Sequence, residues 1–143
     1  MNSNIIRGNV VIGGDLEFFA ESVYDNTFES NRVEGGNMHL RGDYNGGVVR
    51  NQVRRNVIRG GELWMQMGLD PLGDNVIELN FVSGSPGDGI ALMDGEGGDT
   101  IVRNNTSVDN VGCDLNDTTN GLATHHNSWS GNHFGTKCGA ATG

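Results

Sequence analysis

Glu17, His39 and Trp64 follow one another at intervals of 22 and 25 residues, and Asp114 comes 50 residues after Trp64. Arg41 and Gln66 each lie two residues beyond a member of this series. An indole face beside imidazole, guanidinium and carboxylate groups suits a saccharide, which needs a flat apolar surface for its ring and polar partners for its hydroxyls. The competing expectation is a covered face, with Trp64 packed beneath the segment 66–75. Asp94 and Asp117 each follow an apolar residue, Ile90 or Cys113, by four positions, which places them in one register of neighbouring repeats. Carboxylates whose backbones stand ~5 Å apart raise one another's pKa, and can act as an acid/base pair or hold a cation. Aspartate is equally a corner residue that satisfies turn amides with its own side chain. Asp94, Glu96 and Asp99, in DGEGGD, could offer oxygen ligands to Ca²⁺ or form a plain glycine-rich turn. His125, His126 and His133 cluster near Cys138 without the spacing a zinc site requires, so no metal site is assigned.

Such residues act together only if a repeating scaffold aligns them. One motif recurs: Asn, any residue, an apolar residue, two of any kind, then Asn or a small polar residue. It reads as Asn4-Ile6-Asn9, Asn26-Phe28-Asn31, Asn51-Val53-Asn56, Asn80-Val82-Ser85, Asn104-Thr106-Asp109 and Asn127-Trp129-Asn132. Five occurrences lead into apolar-x-apolar triplets: Leu16-Glu17-Phe18, Met38-His39-Leu40, Leu63-Trp64-Met65, Ile90-Ala91-Leu92 and Cys113-Asp114-Leu115. The triplets alternate as a strand with one buried face does. One repeat cannot bury its apolar side alone, but stacked coils can.

The fold expected is therefore all-β, a right-handed parallel β-helix of about six coils forming a single domain over 1–143. It could also be the C-terminal part of a longer column. At ~4.8 Å per coil, six coils rise roughly 25–29 Å, and equivalent asparagines stack into amide ladders. A left-handed β-helix would show a six-residue period, and leucine-rich repeats would show L-x-x-L-x-L; neither occurs. Composition agrees, with 24 glycines, 18 asparagines, 2 prolines and a single lysine, Lys137. The register puts Cys113 at the first inward position of coil five and Cys138 near the same place in coil six. A coil-to-coil disulfide, which favours an exported protein, or two buried thiols would follow. Outward charges should also pair between coils: Arg7, Glu29 and Arg54 alternate in one column, and Glu34 lies beside Arg59.

The repeat resembles those of the pectate-lyase-like superfamily and of NosD-type surface and periplasmic proteins. That resemblance implies a substrate groove floored by the apolar-x-apolar sheet. Its outward columns here read Glu17, His39, Trp64, Ala91, Asp114 and Phe19, Arg41, Gln66, Met93, Asn116. The stretch GDGIALMDG, residues 87–95, is similar to the G-D-D-C-I-A-I region of polygalacturonases. Asp88 matches one of the paired aspartates, and Gly89 stands where the second would be. Pectate-lyase chemistry implies an Arg or Lys base, for which Arg41 is the basic residue in place.

A formal charge of −9 repels phosphate backbones and sets nucleic acid aside. No apolar run reaches the length of a membrane-spanning helix. Three functional classes remain: a carbohydrate-binding or carbohydrate-active domain outside the cell or in the periplasm, a structural or adhesive column of a cell surface or phage fibre, and a periplasmic accessory protein. Polysaccharide is the expected ligand of the first. A first coil with no cap before it leads to an expectation of self-association, through that end or through side faces.

Overall fold

The computed structural model describes residues 2–43, 46–66, 72–93, 98–119 and 126–141. Their regular structure consists of short strands in parallel sheets, with no helix among the described residues. Side one stacks Ile5–Arg7, Thr27–Glu29, Gln52–Arg54, Val76–Glu78, Ile101–Arg103 and Ser128–Ser130. Side two stacks Val10–Ile12, Arg32–Glu34, Val57–Arg59, Phe81–Ser83, Thr106–Val108 and His133–Phe134. Side three stacks Leu16–Ala20, Met38–Gly42, Leu63–Gln66, Ile90–Met93, Leu115–Asp117 and Lys137–Gly139. A short fourth side holds Val23–Tyr24, Val48–Val49 and Leu72–Gly73. The chain is a parallel β-solenoid, six strands deep on three sides.

Local sequence explains the corners. Each turn from side one to side two passes through one left-handed residue, the column Gly8, Ser30, Arg55, Leu79, Asn104 and Gly131. The next residue is an asparagine whose amide closes the corner. Asn9, Asn31, Asn56, Asn80, Asn105 and Asn132 form one ladder, in which the Asn56 amide oxygen accepts from the Asn31 backbone N–H at 2.9 Å and from its side-chain amide at 3.0 Å. Asn4, Asn26, Asn51, Asn75, Thr100 and Asn127 form a second ladder at the entrance to side one. Most of these amides are buried, so each satisfies backbone groups that water cannot reach.

The ladders correct the register expected for coils four and five. From these coils the ladder at the entrance to side one takes Asn75 and Thr100, not Asn80 and Asn104. Asn80 belongs to the corner ladder between sides one and two, while Asn104 is exposed in a left-handed corner. Sides one and two share the same five-residue step, so a slip by one side leaves the local pattern intact.

Inward residues form continuous columns. Phe28, Val53, Ile77, Val102 and Trp129 line side one, and Val33, Ile58 and Val82 line side two. Met38, Leu40, Leu63, Met65, Ile90 and Leu92 line side three, all without solvent exposure. Each such side chain contributes about 1.5–3 kcal/mol by leaving water. On side three Leu115, not Cys113, is the partner of Ile90. Cys113 lies before the strand, and its disulfide to Cys138 joins adjacent coils with Cα atoms 5.9 Å apart. The outward charges pair as expected: Arg54 meets Glu29 at 2.7 Å, Arg59 meets Glu34 at 3.7 Å, and the alternation continues through Glu78 and Arg103.

Candidate functional site

Two outward columns cross side three. The first reads Glu17, His39, Trp64, Ala91, Asn116 and Cys138; the second reads Phe19, Arg41, Gln66 and Met93. Glu17, His39, Arg41, Trp64 and Gln66 thus share one face, as their spacing implied. Asp114 does not join them, and Asn116 takes the place beside Ala91 expected for it. The cause is the two-residue shift of coil five, which begins its strand at Leu115.

Ring contacts organise the face. The His39 and Trp64 rings lie 3.9 Å apart, centre to centre, at 42°. One coil earlier, the Arg41 guanidinium sits 4.5 Å above the Phe19 ring. Phe19 was legible in the outward column, but an apolar outward residue carries no chemistry until a cation is seen to cover it. His39 is only 9% exposed and its Nε2 is buried without a hydrogen-bond partner. Burial pushes its pKa down, Asp15 and Glu17 pull it up, Arg41 adds to the depression, and the net direction is down. The imidazole is therefore neutral at neutral pH. Ala91 is wholly buried, whereas Trp64, Arg41, Gln66 and Met93 are partly open, so the strip is covered in places and accessible between them. Residues 67–71, part of the segment expected to cover Trp64, lie outside the described residues.

The acidic candidates separate. Asp117 pairs with Leu92 and points into the core rather than outward. Its Oδ1 accepts from the Thr119 hydroxyl and backbone N–H, at 2.6 and 3.2 Å; its Oδ2 accepts from the Trp129 indole N–H and the Asn127 amide, at 3.0 and 3.1 Å. Four donors replace water around a buried carboxylate, which makes Asp117 a structural anchor for coil six. The register behind the Asp94–Asp117 pairing is thereby corrected, and Asp94 and Glu96 lie outside the described residues. Asp88 is also engaged by the fold, accepting from the Cys113 N–H and the Asn116 amide at 2.7 Å each.

Asp114 is buried at the corner before Leu115. Its Oδ2 accepts from the backbone N–H groups of Gly135 and Thr136 at 2.8 and 2.9 Å. Burial pushes its pKa up, but hydrogen bonds from Thr136, Asn110 and Gly135 outweigh it and hold the carboxyl below the usual range. Glu62 was not singled out by sequence, because an acidic residue at a corner is unremarkable there. Its Oε1 accepts the Asp88 N–H at 3.0 Å. Burial raises its pKa, the Asp88 N–H lowers it, and the Asp88 charge adds to the rise. Among the described residues no three His, Cys, Asp or Glu side chains gather where they could share a metal ion. His126 is exposed, His133 pairs with Thr106 on side two, and His125 lies outside the described residues.

The arrangement offers stacking surfaces, a neutral imidazole and a guanidinium on one rigid face and, among the described residues, no pair of free carboxylates across it. Comparison of the chain with protein-family models, curated proteins and solved structures returned no match.

Proposed function

We propose that this β-solenoid binds carbohydrate along the outer face of side three, without cleaving it. The supporting observation is the strip of Phe19–Arg41 and His39–Trp64 ring contacts on adjacent coils. Ring positions one coil apart repeat at ~4.8 Å, close to the length of one sugar residue, so successive residues of a glycan meet successive rungs. Glu17, Gln66 and Arg41 supply hydroxyl partners, and the unpaired His39 Nε2 gains one when a hydroxyl reaches it. Binding leads over hydrolysis because Asp117 and Asp88, two of the three carboxylates expected to do chemistry, are held by structural hydrogen bonds. The Cys113–Cys138 disulfide supports an oxidising location, outside the cell or in the periplasm.

The test is tryptophan fluorescence during titration with neutral and uronate oligosaccharides, alongside assays for new reducing ends and unsaturated products. Trp129 is buried and its N–H is bound to Asp117, so it is a silent background. A saturable emission change that disappears in Trp64→Phe, with no product formed, is expected. No response up to millimolar oligosaccharide overturns the proposal, and so does turnover of any substrate.

A further inference from the structure

His39 is buried in surroundings that serve only one of its two charge states. It stands on the outer face of side three, yet it is only 9% exposed, and its ring lies 3.9 Å from that of Trp64. Its Nε2 is sealed from solvent and has no hydrogen-bond partner. A neutral imidazole tolerates this, because one of its nitrogens carries no proton. An imidazolium does not: both nitrogens then donate, and a buried charged donor with neither acceptor nor water is costly.

The charged groups around the ring do not supply that acceptor. The neighbouring strand Leu16–Ala20 contributes Glu17, with Asp15 in the corner before it; both attract a proton through space, without a hydrogen bond to Nε2. Arg41, on the strand of His39 itself, repels it. The strand on the other side, Leu63–Gln66, carries Trp64 and no titratable side chain. Val23–Tyr24 and Val48–Val49, which also meet the His39 strand, bring only Tyr24, whose ring lies under Arg50.

We infer that the His39–Trp64 stack is a proton-operated latch: the face holds its ligand while His39 is neutral, and protonation draws the imidazole out of the stack toward Asp15, Glu17 and water. The ligand is that of the carbohydrate reading, on which the coupling rests; the latch itself rests on His39 and Trp64 alone. Trp64 is partly open, so a sugar seated on it removes still more water from the adjacent imidazole and favours the neutral form further. By linkage, binding then expels a proton wherever His39 is charged, and affinity falls about 10-fold per pH unit below the titration of the histidine.

Two measurements test this. Tryptophan emission is followed without ligand between about pH 8 and 5, the range in which histidines titrate, in the wild type, His39→Gln and Trp64→Phe. A one-proton step is expected in the wild type and in neither variant. Affinity for the neutral and uronate oligosaccharides, neither of which changes charge in this range, is measured at both ends of it. Binding several-fold weaker at the acid end is expected. No emission step overturns the latch, and so does a step or an acid loss of affinity that survives in His39→Gln. Equal or tighter binding at the acid end, beside a clear step, overturns its control of the site. A clear step with no oligosaccharide bound at either pH removes the carbohydrate reading and leaves the latch standing.

Discussion

Asn56→Ala tests what holds the coils together. Its amide N–H groups donate to Asn80 Oδ1 and to the Phe28 carbonyl, at 3.0 Å each. Its Oδ1 accepts from the Asn31 backbone N–H at 2.9 Å and the Asn31 amide at 3.0 Å. Truncation removes all four hydrogen bonds. The Asn31 amide keeps the Ile6 carbonyl, and Asn80 Oδ1 keeps the Asn56 backbone N–H. The Asn31 N–H and the Phe28 carbonyl are left buried without these partners, and each such orphan costs about 1–3 kcal/mol. The expected loss is about 3–5 kcal/mol. The same change at Asn9 supplies the comparison, because Asn9 is exposed and its side chain only donates to Asn31 Oδ1. Asn9→Ala should therefore cost less than about 1 kcal/mol. Urea unfolding followed by circular dichroism measures both. Equal losses, or a loss below about 1 kcal/mol at Asn56, would refute the view that buried backbone satisfaction is what the ladder supplies.

Four further outcomes follow from the same geometry. Reducing the disulfide, which closes 25 residues, should lower stability by about 3.5 kcal/mol on the chain-entropy model, seen as a lower urea midpoint with reductant; an unchanged midpoint would contradict it. Leu79→Asn should stabilise by about 1 kcal/mol, since Leu79 is an exposed residue at φ 58°, a conformation in which asparagine is more at ease; destabilisation would show that the leucine makes contacts of more value. Asp117→Leu should lower stability by about 3 kcal/mol or more, because the Trp129 and Asn127 donors lose their acceptor; a neutral result in thermal unfolding would argue against an anchor. The folded-state pKa of His39 lies below its ordinary value, so the unfolded chain binds more protons and stability falls as pH drops through about 6.5, the ordinary histidine value. His39→Gln should flatten that slope in unfolding curves between about pH 7 and 5, and an equally steep slope would remove His39 as its source.

The solenoid, its parallel sides and the disulfide were legible in the chain because each depends on a short-range pattern repeated many times. An asparagine two residues before an inward apolar residue means the same thing in every coil. The exact register was less legible. Asn75-Ile77-Asn80-Val82-Ser85 satisfies the motif whether it starts at Asn75 or at Asn80, and only strand pairing with Gln52–Arg54 decides between them. In coil five, Cys113-Asp114-Leu115 has the apolar alternation that Leu115-Asn116-Asp117 lacks, yet the second is the strand. An inward aspartate contradicts alternation until Trp129 and Asn127 are brought from further along the chain to join the adjacent Thr119 around it. Sequence by itself determined the periodic part of this protein, the rungs and their spacing. The tertiary structure decided which carboxylates are free and which are walled in by donors, because that depends largely on donors ten or more residues away in the chain.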